Sequence, residues 1–198
     1  MSVLSDRPPR RVGGRDGTGY HLGLEARKFV MGVEKNKDLV RRFYDEVWNR
    51  GNVEFASQVF GDDYVRHDPR PSQALPGPAG QAKIAADFRQ AFPDLRFDVE
   101  LVLGEDELVA ARWTATGTHT GRWGAVEPTG LRATFSGVNI FRFADGKVAE
   151  IWNHRDDLGL MFQLGVPVYA GSTSRPAPTD PDGYGRSPAI DALRRPGP

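Results

Sequence analysis

The spacing of apolar residues changes once along this chain, and this change constrains the fold more than any other feature. Before Pro93, apolar residues recur at helical spacing, as in Ile84, Phe88 and Phe92. After Pro93, apolar and polar residues alternate from Leu95 to Leu103, which is the period of a strand. Helices followed by strands predict an α+β domain whose antiparallel sheet bends around the helices.

Three helices are expected in the first half of the chain. The first covers about 36–50, and Gly51 suits its C-terminal cap. A short second helix covers 53–60, and the third runs over about 79–92, where Pro93 stops it. Between the last two helices, the sequence YVRHDP predicts a short extended segment, followed by a loop over 70–78.

The second half predicts strands and one short helix. The strands are expected over about 95–103, 107–117, 131–143 and 147–153. Asp145-Gly146 between the last two is a strong hairpin signal. A helix over 157–164 follows, with Asp156 or Asp157 as its N-terminal cap.

The two ends of the chain differ in composition from its middle. Residues 1–34 are rich in Arg and Gly and are predicted to be a disordered extension, with Met31 as an alternative start of translation. A basic arm with a binding role is the other interpretation of this segment. Residues 167–198 are predicted to be a disordered, Pro-rich tail. A single domain over 35–166 remains.

Composition and motifs exclude several classes of function. Lys+Arg and Asp+Glu both number 26, so no overall charge favours nucleic acid or an anionic membrane as partner. Cysteine is absent, which removes thiolate nucleophiles and cysteine-ligated metals and fits the cytoplasm. His67, His119 and His154 lack metal-ligand spacing, so no metal is expected. The phosphate-binding glycine motifs and the GxSxG nucleophile motif are missing too.

Five short motifs occur in order between Gly117 and Gly165, namely GTHTG, PTG, FRFADGK, EIW and QLG. Together they resemble the SnoaL-like polyketide cyclases, also called ester cyclases, of the nuclear transport factor 2-like superfamily. The resemblance implies a cone-shaped fold, a homodimer and a pocket for a small apolar ligand. It also implies chemistry without a cofactor on a polyketide or similar carbonyl compound, by proton abstraction followed by ring closure or isomerisation.

The same resemblance places the family's acid/base Asp at Asn153 and its assisting His at Asn139. Both are amides here, and an amide cannot serve as a general base near neutral pH. Asn153 can still donate a hydrogen bond to a carbonyl or enolate oxygen. We therefore expect Asn153 in the catalytic position and Asn139 in the pocket, without the usual proton carrier.

Hairpin geometry decides whether the two amides share a face. With a three-residue loop of Ala144 to Gly146, Asn139 lies opposite Ile151, and Asn153 is diagonal to it on the same face. With a two-residue loop, Asn139 lies opposite Trp152 on the other face. The family geometry favours the first arrangement.

Other residues are candidates for the base and the pocket. His67 titrates near neutral pH and is predicted to be catalytic, although a local turn before Pro69 explains His67 and Asp68 equally well. The remaining predicted pocket residues are Tyr64, Asp68, Phe88, Phe92 and Trp113.

Two other functions remain open at this point. A non-catalytic protein that binds a small ligand or a partner fits the two amides well. A cofactor-free epoxide hydrolase needs an Asp-Arg-Asp arrangement, for which Asp98, Arg112 and Arg132 supply the residue types.

Overall fold

A computed structural model describes residues 18–68 and 76–167, with residues 18–30 described as backbone only. Four α-helices and five strands follow one another in this part of the chain. The helices are α1 (Thr18–Phe43), α2 (Ala56–Val59), α3 (Gly77–Ala91) and α4 (Asp157–Gln163). The strands are β1 (Phe60–His67), β2 (Arg96–Glu105), β3 (Leu108–Thr118), β4 (Arg132–Ala144) and β5 (Lys147–Arg155).

The strands form one mixed sheet in the order β1-β5-β4-β3-β2. β1 pairs parallel to β5, and the other neighbours pair antiparallel. Helices α1 and α3 pack against the sheet. The open sheet with helices on its inner face confirms the α+β class and the cone fold.

The helices begin and end close to the expected positions, except the first. α1 begins at Thr18 rather than near residue 36, and so runs through part of the segment assigned to a disordered extension. No proline lies between Thr18 and Phe43 to stop it. A π-helical segment, Tyr44–Asn49, continues α1. Gly51, at φ 75°, ends this run as expected. Residues 1–17 and 168–198 lie outside the described part of the chain.

The β4–β5 hairpin combines a two-residue loop with a bulge. Asp145 and Gly146 both have positive φ, and Ala144 pairs with Lys147. A register shift follows within β5, after which Asn139 pairs directly with Asn153. The expected three-residue loop is therefore wrong, and so is the pairing of Asn139 with Ile151. The bulge adds one residue and returns both amides to the same face.

A second bulge changes the faces of β2. The register shifts between Val99 and Leu101, so that Leu101 pairs with Arg112 on the outer face of the sheet. Leu101 and Leu103 are 48% and 58% exposed as a result. The regular alternation predicted from Leu95 to Leu103 therefore holds only as far as Val99.

Aromatic side chains fill the space between the helices and the inner face of the sheet. The rings of Phe43, Phe60 and Phe141 meet edge to face, with centroids 5.2 and 6.1 Å from that of Phe43. Nearer to α3, Phe88 and Phe92 stack at 6.1 Å. This core surrounds a cavity that reaches the sheet.

Candidate functional site

A cavity of about 30 Å³ lies between the helices and the inner face of the sheet. Aromatic and aliphatic side chains make most of its wall, including Trp48, Phe88, Phe97 and Trp113. Its polar lining comes from Tyr44, Arg66, Gln81, Asn139, Asn153 and Arg155. A cavity of this volume holds about two water molecules.

Asn139 lies at the centre of a buried hydrogen-bond network. Its Oδ1 accepts from the Tyr44 hydroxyl and from Nε1 of Trp113, each at 2.7 Å. Burial raises the pKa of the Tyr44 phenol well above its ordinary value, which keeps this donor protonated. Gly137 leaves room for the indole, since a Cβ there would come within 2.4 Å of the Trp113 ring. Both donors therefore fix the amide of Asn139 in one orientation.

The network continues from Asn139 to a carboxylate. Nδ2 of Asn139 donates to Oδ1 of Asn153 at 2.7 Å, and Nδ2 of Asn153 donates to Oδ2 of Asp68 at 2.9 Å. An indole N–H only donates and a carboxylate only accepts, so the two ends of this chain determine both amide orientations. The direction of donation is thus Trp113 to Asn139 to Asn153 to Asp68.

Arg66 holds the same carboxylate from a second side. Its Nη2 lies 2.9 Å from Oδ2 of Asp68, and its Nη1 donates to Oε1 of Gln81 at 3.1 Å. The Asp68 side chain is only 8% exposed. Tyr64 also contacts Gln81, at 3.4 Å, and burial raises the pKa of its phenol while nearby Arg66 lowers it. Asp68 therefore lies directly behind Asn153 and Arg66, two residues of the cavity wall.

Arg155 forms another part of the wall. Its guanidinium lies 4.4 Å from the Phe88 ring centroid and 5.5 Å from that of Trp123. Nε of Arg155 contacts the carboxylate of Asp157, at the start of α4. Two guanidiniums, one from β1 and one from the end of β5, thus line a cavity that is otherwise mainly aromatic.

Comparison with known protein families identifies the chain. The family described as SnoaL-like polyketide cyclase matches residues 38–164, almost the whole described domain. The chain belongs to the SnoaL-like polyketide cyclase family. No curated protein matches it significantly.

Solved structures agree with this assignment. AclR from Streptomyces galilaeus, a proposed hydroxylase, is 30% identical with a TM-score of 0.59, and the match covers 69% of this chain and 89% of AclR. IdmH from Streptomyces antibioticus, a proposed polyketide cyclase, is 29% identical with a TM-score of 0.57, over 66% and 99%. A proposed SnoaL-like polyketide cyclase from Jannaschia sp. CCS1 is 26% identical with a TM-score of 0.61, over 69% and 95%.

The structure brings together only part of the site expected from the SnoaL-like resemblance. Asn153, Asn139, Phe88 and Trp113 line the cavity. Asp68 lies directly behind Asn153 rather than in the wall. Two other predicted pocket residues belong to the core: Tyr64 packs on Phe60, and Phe92 stacks on Phe88 and His119.

His67 is not part of the cavity wall, contrary to expectation. β1 runs parallel to β5 with Arg66 beside Ile151 and His67 beside Trp152. Alternation therefore turns Arg66 inward and His67 outward. On the outer face, His67 stacks on Trp152 at 4.8 Å, and its Nε2 lies 2.8 Å from Oε2 of Glu150. A proton carrier in the cavity must be another residue.

The residues considered for epoxide hydrolysis also lie outside the cavity. Asp98, Arg112 and Arg132 are all exposed, and each pairs with a charged neighbour at the surface. Within residues 31–68 and 76–167, no group of three or more His, Asp and Glu side chains could hold a metal ion. None of the described helices is long and apolar enough to cross a membrane.

Sequence reasoning missed several cavity residues, although two of them carry a detectable signal. In a strand, alternate side chains lie on the same face. Arg66 therefore shares a face with Tyr64 and Asp68, and Arg155 shares one with Asn153. Gln81 and Tyr44 lie on helices, where no comparable pattern distinguishes them from other core residues.

Proposed function

We propose that this SnoaL-like protein binds a small apolar carbonyl compound of the polyketide type and removes a proton next to its carbonyl group, without a cofactor. The observation that carries the proposal is the 2.9 Å hydrogen bond from Asn153 to Asp68. It places a carboxylate beside the position where the family resemblance implies the acid/base residue.

The donors and the acceptor of the site suit enolate chemistry. In the proposed reaction, the carboxylate of Asp68 takes the proton from the carbon next to the carbonyl, through one water molecule in the cavity. The electron pair of the broken C–H bond moves to the carbonyl oxygen. In this proposal the N–H groups of Asn153 and Arg66, which both line the cavity, stabilise this oxyanion. Ring closure then forms a C–C bond from the enolate carbon to a second carbonyl, whose oxygen takes the proton from Asp68.

The size of the cavity sets a condition for binding. Ligand pockets in proteins usually measure about 300–1,000 Å³, whereas this cavity measures about 30 Å³. Side chains of the wall must therefore move when a ligand binds. Phe88 and Arg155 are candidates, because the residue that packs behind both of them, Trp123, is itself only half-buried.

A non-catalytic ligand-binding protein is the second candidate. Asp68 is already engaged by Asn153 and Arg66, and both amides are held in fixed hydrogen bonds. Such a network also suits a rigid binding site that has lost its reaction. Epoxide hydrolysis has less support, because Asp98, Arg112 and Arg132 are exposed.

Deuterium exchange tests the proposed reaction without requiring the natural substrate. Methyl 4-acetylbenzoate is a flat aromatic ketone whose acetyl protons exchange slowly by themselves. In D₂O we expect the wild-type protein to accelerate loss of the acetyl proton signal, and Asp68→Asn to remove the acceleration. Asp94→Asn is the control, since Asp94 is a surface carboxylate that contacts Thr118 and Arg132.

The outcomes separate the two candidates. Binding of the ketone without faster exchange in the wild type would favour the non-catalytic alternative. Equal acceleration by the wild type and Asp68→Asn would show that Asp68 is not the base. No detectable binding of any aromatic ketone would overturn both.

We propose in addition that the protein is a homodimer and works in the cytoplasm. Exposed apolar residues on the outer face of the sheet support the first point, and the cysteine-free sequence is compatible with the second.

A further inference from the structure

Gln81 of α3 lines the cavity, yet it takes no part in the proposed proton abstraction. We infer that Gln81 is a further catalytic residue, whose Nε2 binds the second carbonyl oxygen of the ligand and activates this carbonyl for ring closure. The inference rests on the proposed function, because it assumes that Asp68 first creates an enolate in the same cavity.

The neighbours of Gln81 determine the orientation of its amide. Oε1 accepts from Nη1 of Arg66 at 3.1 Å and lies 3.4 Å from the Tyr64 hydroxyl. A guanidinium only donates hydrogen bonds, so the amide atom that faces Arg66 must be the oxygen. The two N–H groups of Nε2 therefore point away from Arg66.

These N–H groups belong to a buried side chain and lack an acceptor. Gln81 is only 1% exposed. Across residues 31–68 and 76–167, no group accepts a hydrogen bond from its Nε2. Buried amide donors are normally paired, because leaving one unpaired is destabilising. Since Gln81 lines the cavity, a carbonyl oxygen of a bound ligand would supply the missing acceptor.

Arg66 links Gln81 to the proposed base. The same guanidinium contacts Gln81 through Nη1 and Asp68 through Nη2, the latter at 2.9 Å. Gln81 therefore lies beside one nitrogen of the guanidinium, and Asp68 lies beside the other together with Asn153. A flexible ligand with two carbonyl groups can reach both positions. Donation from the cation to Oε1 also polarises the amide and strengthens its N–H donors.

Ring closure places negative charge where Gln81 can stabilise it. The enolate carbon forms a C–C bond to the second carbonyl carbon, and the π electron pair of that carbonyl moves to its oxygen. Nε2 of Gln81 donates a hydrogen bond to this oxygen as the charge develops. The oxygen then takes the proton that Asp68 removed earlier. Gln81 itself gains and loses no proton, as expected for an amide.

Two methyl ketones form a matched pair for the test. 1-Phenylhexane-1,5-dione can close a six-membered ring, whereas 6-phenylhexan-2-one has a CH₂ group in place of the benzoyl carbonyl and cannot. We expect the wild-type protein to bind the dione about fivefold more tightly in calorimetric titrations, which corresponds to one net hydrogen bond. The monoketone is the less polar compound, so burial of apolar surface alone would favour it.

Substitutions at Gln81 should remove this preference. In Gln81→Met the two compounds should bind equally, and ring closure of the dione, measured by chromatography, should slow by about 10²-fold. Gln81→Glu keeps an acceptor for Arg66 but has no N–H donor, so it should lose the preference as well. Gln90→Met, at an exposed glutamine of the same helix, should leave the preference unchanged.

Several outcomes would overturn the inference. A purely structural role, in which Gln81 only holds Arg66 in place, would make Gln81→Met weaken both compounds alike and would leave the preference intact in Gln81→Glu. Equal affinity of the wild type for both compounds would also overturn it, as would unchanged ring closure in a folded Gln81→Met protein.

Deuterium exchange of the acetyl group separates this failure from failure of the proposed function. If the wild type accelerates exchange in both compounds but does not prefer the dione, the proton abstraction stands and the role of Gln81 fails. If the dione is preferred through Gln81 but neither compound exchanges faster, the contact of Gln81 with the second carbonyl stands and the proton abstraction fails.

Discussion

Asn153 donates from Nδ2 to Oδ2 of Asp68 across 2.9 Å and joins the cavity wall to the end of β1. The family resemblance implies a carboxylate at position 153, where this chain has an amide. The structure has an acid one hydrogen bond farther away, at Asp68, the residue directly after β1. The amide and the carboxylate are complementary, since one donates and the other accepts.

Replacing Asn153 by Asp should increase the rate of proton abstraction. The new carboxylate would line the cavity directly, whereas Asp68 lies behind the wall. We expect faster acetyl-proton exchange of methyl 4-acetylbenzoate, by about 10²-fold, which is the lower end of the range for general-base catalysis. Two adjacent carboxyls cannot both ionise easily, so the activity should rise with pH through a pKa above that of an ordinary Asp. Exchange measured by NMR between pH 5 and 8 gives both quantities.

Two comparisons make this prediction specific. Asn153→Ala removes the amide without adding a base, so it should not increase exchange. Relative to the wild type, Asn153→Asp should also lose more melting temperature at pH 8 than at pH 5, because the two carboxylates repel one another at high pH. An Asn153→Asp protein that is folded and no faster than the wild type would contradict the proposed position of the reacting carbon.

Asn139 should matter more for stability than other polar residues of the cavity wall. Asn139→Leu leaves the Trp113 N–H and the Tyr44 hydroxyl buried without their acceptor, each of which costs about 1–3 kcal/mol. We expect the free energy of unfolding in urea to fall by about 2–4 kcal/mol. Trp113→Phe removes one donor and leaves Asn139 bonded to Tyr44. The part of the destabilisation that comes from unpaired polar groups should therefore be smaller than in Asn139→Leu. A larger loss for Trp113→Phe than for Asn139→Leu would contradict this account of the network.

Local patterns predicted the fold well because the helices and strands depend on them. The change of period at Pro93 and the Asp145-Gly146 turn gave the α+β class and the last hairpin. The bulge in β5 left no pattern in the sequence, although it decides how Asn139 and Asn153 pair. His67 was predicted to be catalytic, but the parallel pairing of β1 with β5, which joins segments far apart in sequence, turns it to the outer face.

The same limit explains why the site was predicted only in part. Arg66 and Arg155 are charged residues near strand ends, where exposure is the usual expectation. Asp68 and Asp157, each two residues farther along the chain, compensate their charge, and Arg66 also donates to Gln81 of α3. The sequence shows these neighbouring carboxylates, but that the two guanidiniums face the same cavity depends on the pairing of β1 with β5, which joins distant segments.

His119 should make the protein less stable in mild acid. The residue is fully buried and stacks on Phe92 at 5.0 Å, and its Nε2 has no hydrogen-bond partner among the described residues. Burial lowers the pKa of His119 below its ordinary value of about 6.5. The unfolded chain therefore binds the proton first, and the free energy of unfolding falls as the pH drops from 6.5 through the lowered pKa. Above pH 6.5 this contribution is complete.

Urea unfolding at several pH values between 7.5 and 5 isolates this contribution. His119→Gln should show a smaller loss of stability below pH 6.5 than the wild type. One proton contributes at most about 1.4 kcal/mol per pH unit. His154→Gln is the control, because His154 is exposed on β5. Parallel pH profiles for the wild type and His119→Gln would show that His119 is not the group responsible.

The outer face of the sheet should form the dimer interface. Trp152 needs no partner molecule, since it is 8% exposed and stacks on His67. On β2 and β4, exposed apolar side chains of this face are Leu101, Leu103 and Val138. The pairing registers place Leu103, Ala110 and Ile140 in one row across three strands. On the C-terminal side of the bulge in β2, the row of Leu103, Ala110 and Ile140 forms a continuous apolar strip on the outer face.

Charged residues placed at Leu103 in this strip and at the nearby exposed Leu101 should separate the subunits. We expect light scattering at micromolar concentration to give twice the chain mass for the wild type and a single chain mass for the double variant Leu101→Asp, Leu103→Asp. Burying two carboxylates against an apolar surface is strongly unfavourable. Leu158→Asp, which changes an exposed leucine of α4, should remain dimeric. A monomeric wild type, or a dimer that survives the double substitution, would exclude this face as the interface.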